Sequence, residues 1–205
     1  MLSLPTYNPK EYNGYKVYNA QGCQITDGAA AEILAETEKA DYFTPFTPDP
    51  KKIEILDDEI LEDFFEAIRP FCISEESLHG LKVVYTPLHG TGNVPIHTLL
   101  ERMGAKVVVV KEQEEPDGDF TTCPYPNPEE RAALSLALEY AVREDADLVL
   151  ATDPDADRVG IAVPDKKGVR LLNGNETGIL LLDYMLSEKA KEGTLAKRPS
   201  LLKQS

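Results

Sequence analysis

Cysteine is scarce in this 205-residue sequence, which contains only Cys23, Cys72 and Cys123. None of them belongs to the C-x-x-C pair of a zinc ribbon, and three widely separated cysteines cannot build a disulfide framework. A reducing compartment is the simplest interpretation of this usage. We therefore expect a cytoplasmic protein with neither a zinc ribbon nor a disulfide framework.

Basic residues are also few, because 21 Lys and Arg stand against 36 Asp and Glu and give a formal net charge of −15. A nucleic-acid backbone and an anionic membrane surface both require a basic face on their partner. The sequence therefore indicates no nucleic-acid partner and no membrane partner. Any phosphate that the protein handles is expected to be small and locally bound.

Long apolar runs are missing as well. No run approaches the ~20 residues that cross a bilayer, and residues 1–5 lack the basic segment and apolar stretch of a signal peptide. Hydrophobic residues nevertheless make up 42% of the chain, which is close to the share found in ordinary globular domains. At roughly 100–200 residues per domain, the length predicts one or two domains.

The first part of the chain has a pattern of its own. Residues 1–20 are rich in Tyr, Asn and Gly, a composition typical of turns and short strands. Apolar residues that recur with a 3.6-residue period predict helices over 27–41 and 57–69. Three prolines indicate an extended connector over 42–56.

After Gly80 the sequence alternates between strand and helix patterns. The predicted strands are 81–86, 105–110, 147–152, 159–163 and 169–172, and the predicted helices are 94–103, 128–143 and 176–191. The helix predicted over 128–143 has a start signal, because Asn127 suits the N-cap position and Pro128 suits the first helical position. Alternating strands and helices are typical of a parallel sheet with crossover helices. We therefore predict an α/β fold with a mainly parallel sheet, preceded by a partial α/β domain.

Three carboxylates follow the apolar strand 147–152 on alternate residues: Asp153, Asp155 and Asp157. Open α/β sheets place ligands at such strand ends. Two carboxylates ~4 Å apart repel each other by about 4 kcal/mol at an effective dielectric of 20, so three of them together favour a bound cation. Oxygen ligands indicate a hard ion, and three carboxylates suit Mg²⁺ better than Ca²⁺. An acidic turn paired with Arg158 is the alternative.

Other acidic motifs fit this segment less well. An EF-hand loop requires Gly and Glu where this chain has Arg158 and Pro164, so that motif is excluded. Residues 155–159 match the D-x-D-x-[TV] pattern of aspartyl-phosphate phosphatases, but the first Asp of that pattern directly follows its strand, and here only 48 residues follow Asp157. Glycosyl transfer through a D-x-D metal site is a further alternative.

A glycine-rich turn, residues 86–93, follows the first strand of the predicted sheet. It lacks the Gly-Lys-Ser/Thr of a P-loop, and Pro95 replaces the third glycine of G-x-G-x-x-G. His89 either packs inside the protein within a tight turn or contacts a ligand. In a parallel sheet this turn and the three aspartates would share one edge.

Two further polar features are interpreted as solvated. Lys16 lies after an Asn-Gly turn, a position at which lysine is usually solvated. The acidic stretch 112–119 is interpreted as a solvated loop.

Residues 8–18, 85–92, 152–158 and 173–184 together resemble segments of the α-D-phosphohexomutases, the phosphoglucomutase and phosphomannomutase enzymes. In that family a phosphoserine exchanges a phosphoryl group with a hexose 1- or 6-phosphate through a bisphosphate. The resemblance implies Mg²⁺ on the three aspartates and a hexose phosphate as the partner molecule. It also implies phosphate contacts from Arg158 and His89 and an acid or base role for Lys16.

The chain departs from this family at the phosphoserine loop, where the family pattern T-A-S-H-N-P is replaced by Leu4-Pro5-Thr6-Tyr7-Asn8-Pro9. Thr6 therefore occupies the phosphoserine position and is the candidate phosphoryl carrier. Its hydroxyl is of the required type, but Pro5 changes the backbone before it and Tyr7 replaces the family's histidine.

The resemblance also implies a division of the chain. Residues 1–56 correspond to the end of the family's first domain and a connector, 57–193 to its second domain with the magnesium loop, and 194–205 to a tail. We expect such a portion to be inactive alone, because it lacks the sugar-recognition and distal phosphate loops. A non-catalytic cation-binding or interaction module is the alternative. Faces that meet other domains in the family would favour self-association.

Overall fold

The computed structural model describes residues 2–4, 10, 14–41, 43, 45, 47, 49–55, 58–73, 78–166 and 168–196. Its elements in chain order are β1 (Leu2–Leu4), β2 (Gly14–Lys16), α1 (Asp27–Thr37), α2 (Glu59–Ile68), β3 (Lys82–Thr86), α3 (Asn93–Arg102), β4 (Lys106–Val109), α4 (Ser135–Glu144), β5 (Leu148–Thr152), β6 (Val159–Asp165), β7 (Gly168–Leu172) and α5 (Gly174–Lys191). Thr6, the candidate phosphoryl carrier, lies outside the described residues.

The main sheet has five strands in the order β4-β3-β5-β6-β7. Strand β3 pairs in parallel with β4 and β5, so that Val84 lies opposite Val108 on one side and Val149 on the other. The hairpin β6–β7 continues the sheet in antiparallel fashion. Helices α3 and α4 lie between successive parallel strands in the chain, as crossover connections require. The predicted α/β fold with crossover helices is confirmed.

The core lies between this sheet and α4. It consists of buried side chains from the strands, from one face of the helix and from residues next to them: Val84, Val110, Leu134, Ala137, Leu138, Tyr140, Ala141, Ala146, Val149, Ala151 and Ala162. Strands that are buried on both faces have nearly continuous runs of apolar residues. This burial explains why residues 148–152 carry no polar side chain before Thr152.

The helix predicted over 128–143 begins only at Ser135, so its first seven residues were predicted wrongly. The Oδ1 of Asn127 accepts a hydrogen bond from the Glu129 N–H at 3.1 Å. The backbone hydrogen bonds that follow close single turns, as the bond from the Ala133 N–H to the Glu130 carbonyl oxygen does. Pro128 packs closely on Gly160 of β6, at a place where a Cβ would collide with it. Packing of these turns on the sheet therefore prevails over the local start signal.

The N-terminal elements are smaller. Strands β1 and β2 pair antiparallel, and α1 has no buried residue. Helix α2 is held to α3 by Arg102, whose guanidinium donates twice to the Glu62 carboxylate and lies 4.8 Å from the centre of the Phe65 ring. No helix within the described ranges is both long and apolar enough to cross a membrane.

Candidate metal site

The three aspartates lie in the turn that joins β5 to β6, which we call the aspartate loop (residues 153–158). Ala156 adopts a left-handed conformation (φ 58°), and its N–H donates to the Asp153 carbonyl oxygen at 2.9 Å. This tight turn directs the side chains of Asp153, Asp155 and Asp157 to one place. One carboxylate oxygen from each lies within 4.8 Å of the others.

Burial decreases along the aspartate loop. Asp153 is fully buried, the Asp155 side chain is 4% exposed, and the Asp157 side chain is 58% exposed. Asp153 Oδ1 accepts from the Arg158 backbone N–H at 2.9 Å, whereas Asp153 Oδ2 is buried without a hydrogen-bond partner. Because an unpartnered buried polar atom is costly, this oxygen indicates a missing ligand.

The two buried carboxyl groups have opposite pKa shifts. Burial, reinforced by the neighbouring Asp155 carboxylate, raises the pKa of Asp153 to about 7. Burial also favours neutral Asp155, but its hydrogen bond with the Lys16 ammonium prevails and lowers the pKa of Asp155. The pair thus resembles sites in which two acids are held in different protonation states.

Lys16 reaches the aspartate loop from β2, 139 residues away in the chain. Its Nζ lies 2.8 Å from Asp155 Oδ2 and 3.5 Å from Asp157 Oδ2. The Lys16 side chain is 30% exposed, and its hydrogen bond to Asp155 raises its pKa. The structure therefore brings together four of the predicted site residues, and it places Lys16 in the ion cluster rather than in solvent.

The glycine-rich turn, residues 86–93, lies directly against the aspartate loop, as expected for turns that follow adjacent parallel strands. The Thr91 N–H donates to the Pro154 carbonyl oxygen at 2.9 Å, and the Thr91 hydroxyl donates to the same oxygen at 3.2 Å. A Cβ on Gly90 would come within 2.6 Å of the Pro154 carbonyl oxygen and 2.8 Å of its carbon. Glycine is therefore required for this close approach.

A buried hydrogen bond supports both loops from below. The hydroxyls of Tyr85 on β3 and Thr152 on β5 lie 2.9 Å apart. Burial raises the pKa of Tyr85 to about 12 although its bond to Thr152 opposes the shift. A Cβ on Gly92 would approach both hydroxyl oxygens, at 2.6 and 2.7 Å. This layer holds the strand ends at a fixed separation.

His89 is buried, and both of its ring nitrogens contact protein atoms. Nδ1 lies 2.8 Å from the Glu115 carbonyl oxygen, and Nε2 lies 2.8 Å from Thr122 Oγ1. The ring packs edge-on against Phe120. This geometry favours the packed His89 of the two sequence interpretations, and the phosphate contact remains a prediction.

Arg158 is half-buried at the end of the aspartate loop, and its backbone binds Asp153 as described. A phosphate contact by its guanidinium remains a prediction. The acidic stretch 112–119 forms no comparable cluster within the part of the chain that the structure describes. There the Asp117 carboxylate accepts from the N–H groups of Thr121 and Asp119, and these bonds lower its pKa to about 2.

The oxygen donors of the aspartate loop fit a hard divalent cation. Its three carboxylates converge, one of their oxygens is buried without a partner, and burial together with the neighbouring carboxylates raises the pKa of Asp153. Asp153, Asp155 and Asp157 are the residues that would hold the ion.

Sequence reasoning missed the residues that support the metal site. It placed the two loops at one edge but did not identify Gly90 as the contact on Pro154, nor the hydrogen bond between Tyr85 and Thr152. Two features of the sequence could have indicated this contact. One is the glycine-rich turn, and the other is the proline inside the acidic turn that follows the neighbouring strand. Neither motif shows by itself which backbone atoms will meet.

Two parts of the chain match the descriptions of known protein families. Residues 62–168 match the family description "Phosphoglucomutase/phosphomannomutase, alpha/beta/alpha domain II", and residues 6–43 match domain I of the same family. The first match contains both the glycine-rich turn and the aspartate loop. The proposed boundary between 56 and 57 lies between the two matches and remains a prediction.

Curated relatives agree with these matches. The chain is 34% identical to a phosphomannomutase of Mycoplasmoides pirum over 98% of its length and 37% of the relative's. It is 36% identical to a phosphoglucomutase of Staphylococcus saprophyticus over 95% of its length and 37% of the relative's. It therefore spans little more than a third of these relatives.

Solved structures give the same fold. A phosphoglucomutase/phosphomannomutase family protein from Burkholderia thailandensis superposes with a TM-score of 0.63 and 22% identity over 91% of this chain and 37% of that one. A protein described as a phosphomannomutase from Thermus thermophilus superposes with a TM-score of 0.60 and 25% identity over 79% of this chain and 36% of that one. Because the family description covers more than half of the chain, the protein belongs to the phosphoglucomutase/phosphomannomutase family.

Proposed function

We propose that this chain is the metal-binding portion of a phosphohexomutase that interconverts hexose 1-phosphate and hexose 6-phosphate, with glucose or mannose as the sugar. The observation that carries the proposal is the buried, unpartnered Asp153 Oδ2 among three converging carboxylates. Membership of the family supplies the reaction class. A cytoplasmic location remains a prediction.

In this proposal Asp153, Asp155 and Asp157 hold Mg²⁺, which supplies charge neutralisation to phosphoryl transfer when it is bound. Thr6 carries the phosphoryl group, gives it to the free hydroxyl of the hexose phosphate and receives the other phosphoryl group back from the bisphosphate. Lys16 lies at the aspartate loop, where its amine can exchange a proton with the transferring oxygen. Arg158 presents a fixed positive charge to the phosphate.

We also propose that the 205-residue chain does not turn over hexose phosphates alone. The relatives are more than twice as long, so the activity of a whole enzyme rests on the family and not on this portion. Steady conversion of glucose 1-phosphate by the purified chain, free of host enzyme, would contradict this part of the proposal.

Binding of Mn²⁺, followed by paramagnetic resonance with Mg²⁺ as the competitor, tests the metal site. The parent chain is expected to bind Mn²⁺ that Mg²⁺ displaces. Asp155→Asn should weaken binding by more than the roughly 10–100-fold that loss of an outer-shell partner costs, because it replaces a charged direct ligand with a neutral amide oxygen. Circular dichroism checks that the variant is folded.

Asp183→Asn is the matched control, because it removes the same charge from the exposed side of α5. Its Mn²⁺ affinity is expected to equal that of the parent. Equal affinity in Asp155→Asn and the parent would refute the metal site, and an absence of displaceable Mn²⁺ both from the parent and from a variant that lacks the Lys16 charge would do the same.

The second candidate function is a non-catalytic cation-binding or interaction module. A group of exposed apolar side chains on α5 favours it: Ile179, Leu180, Leu181, Tyr184 and Met185. Contiguous apolar surface is typical of interaction sites. If this face binds a second copy, light scattering should show a mass that rises with protein concentration, whereas a monomer at high concentration would contradict self-association.

A further inference from the structure

We propose that Lys16 is a built-in competitor of the divalent cation: its ammonium holds two of the three carboxylates of the aspartate loop, and cation loading requires Lys16 to release them. This inference rests on the proposed metal site. It follows from the two distances of 2.8 and 3.5 Å that join Lys16 Nζ to the Oδ2 atoms of Asp155 and Asp157.

The two cations need the same carboxylates. Magnesium lies about 2.1 Å from each oxygen ligand, and the candidate ligand atoms lie within 4.8 Å of one another. An ion that contacts all three carboxylates would therefore bind the carboxylate of Asp155, to which the ammonium of Lys16 already donates. Because charges of the same sign repel each other at such separations, the ion and the ammonium compete for this carboxylate.

The structure also indicates which partner moves. Asp155 is 4% exposed in a tight turn, whereas the Lys16 side chain is 30% exposed. Lysine has a flexible four-carbon stem and a strongly hydrated head, so its ammonium can release the two carboxylates at low cost and stay beside the aspartate loop. Displacement of Lys16 therefore leaves the aspartate loop in place.

Lys16 should consequently set the cation concentration at which the loop is loaded. In the metal-free chain its charge offsets part of the repulsion among the carboxylates, which stabilises that state. Every cation that binds must replace this interaction. Removing the ammonium destabilises the metal-free state and should strengthen cation binding.

The test is a Mn²⁺ titration of the full chain, read by paramagnetic resonance of the free ion. Lys16→Gln removes the charge and keeps a polar side chain of similar length. Its Mn²⁺ affinity is expected to exceed that of the parent by about tenfold, the size that a partly screened unit charge a few ångströms away produces. Lys16→Arg keeps the charge and should bind Mn²⁺ as the parent does.

Lys10→Gln is the matched control. Lys10 forms a 2.8 Å ion pair with Asp119, so this variant removes the same charge and an ion pair of equal length away from the aspartate loop. Its Mn²⁺ affinity should remain that of the parent. Equal strengthening in both Gln variants would mean a general effect of net charge and would overturn the inference.

The remaining outcomes separate this inference from the proposed function. If the parent binds Mn²⁺ and Lys16→Gln binds it equally or more weakly, Lys16 is not a competitor but the metal site stands. If only Lys16→Gln binds, both proposals are supported. If neither protein binds Mn²⁺ that Mg²⁺ displaces, both are refuted.

Discussion

Asp153→Asn is expected to stabilise the metal-free chain at pH 8 while it abolishes cation binding. Asp153 is fully buried, and its Oδ2 has no hydrogen-bond partner. Ionising such a group has a free-energy cost that an amide avoids. The asparagine Oδ1 can still accept from the Arg158 backbone N–H, so the variant keeps this hydrogen bond.

The pH dependence follows from the raised pKa of Asp153. Its value is about 7 in the folded chain against an ordinary 3.8, so the folded state holds a proton that the unfolded state has lost between these values. The contribution of Asp153 to stability is therefore fully present below about pH 4 and is lost as the pH rises toward 7. The raised pKa therefore makes the parent less stable at pH 8 than at pH 4, because the folded state must ionise a buried carboxyl group.

Urea unfolding in the presence of a chelator, at pH 4 and pH 8, measures this effect. The free energy of unfolding of Asp153→Asn should exceed that of the parent at pH 8, and the excess should disappear at pH 4. Asp183→Asn serves again as the control, and it should not reproduce the gain in stability at pH 8. An asparagine variant that is no more stable than the parent at pH 8 would contradict the prediction.

Gly90→Ala is expected to destabilise the fold and to remove cation binding. The added Cβ would lie 2.6 Å from the Pro154 carbonyl oxygen and 2.8 Å from its carbon, which are backbone atoms that cannot rotate away. Gly90 does not have a positive φ, so the effect is one of space and not of backbone conformation. Overpacking of this kind costs typically 1–3 kcal/mol, and its relief displaces the aspartate loop.

Gly178→Ala is the matched control for this variant, because no heavy atom lies within 4 Å of its added Cβ in helix α5. Alanine should stabilise that helix by about 0.5–1 kcal/mol. Urea unfolding and Mn²⁺ titration of both variants give the comparison. Parent-like affinity and stability in Gly90→Ala would show that the two loops are not in the close contact described.

The parts of the site that are local in sequence were predictable. Asp153, Asp155 and Asp157 follow a short apolar strand, so the acidic loop and its place at the sheet edge could both be inferred. The strand and helix alternation from residue 81 onward gave the fold class for the same reason. Each of these signals lies within a few residues of the feature that it predicts.

The parts that depend on contacts between distant segments were not predictable from the pattern. Lys16 reaches Asp155 across 139 residues, and only the family resemblance singled it out. The helix start at Asn127 and Pro128 was wrong because Gly160, on a later strand, allows that segment to pack as turns. His89 remained undecided because its partners, Glu115 and Thr122, lie in another loop.

Lys16 and Asp155 are separated by 139 residues of chain. Strands β3 to β6 form the aspartate loop from residues 82–165 alone, whereas the ammonium that offsets its charge comes from β2. The loop and its counter-charge therefore belong to separate parts of the chain. A shift of β2 away from the sheet would change the charge at the loop without altering the loop itself.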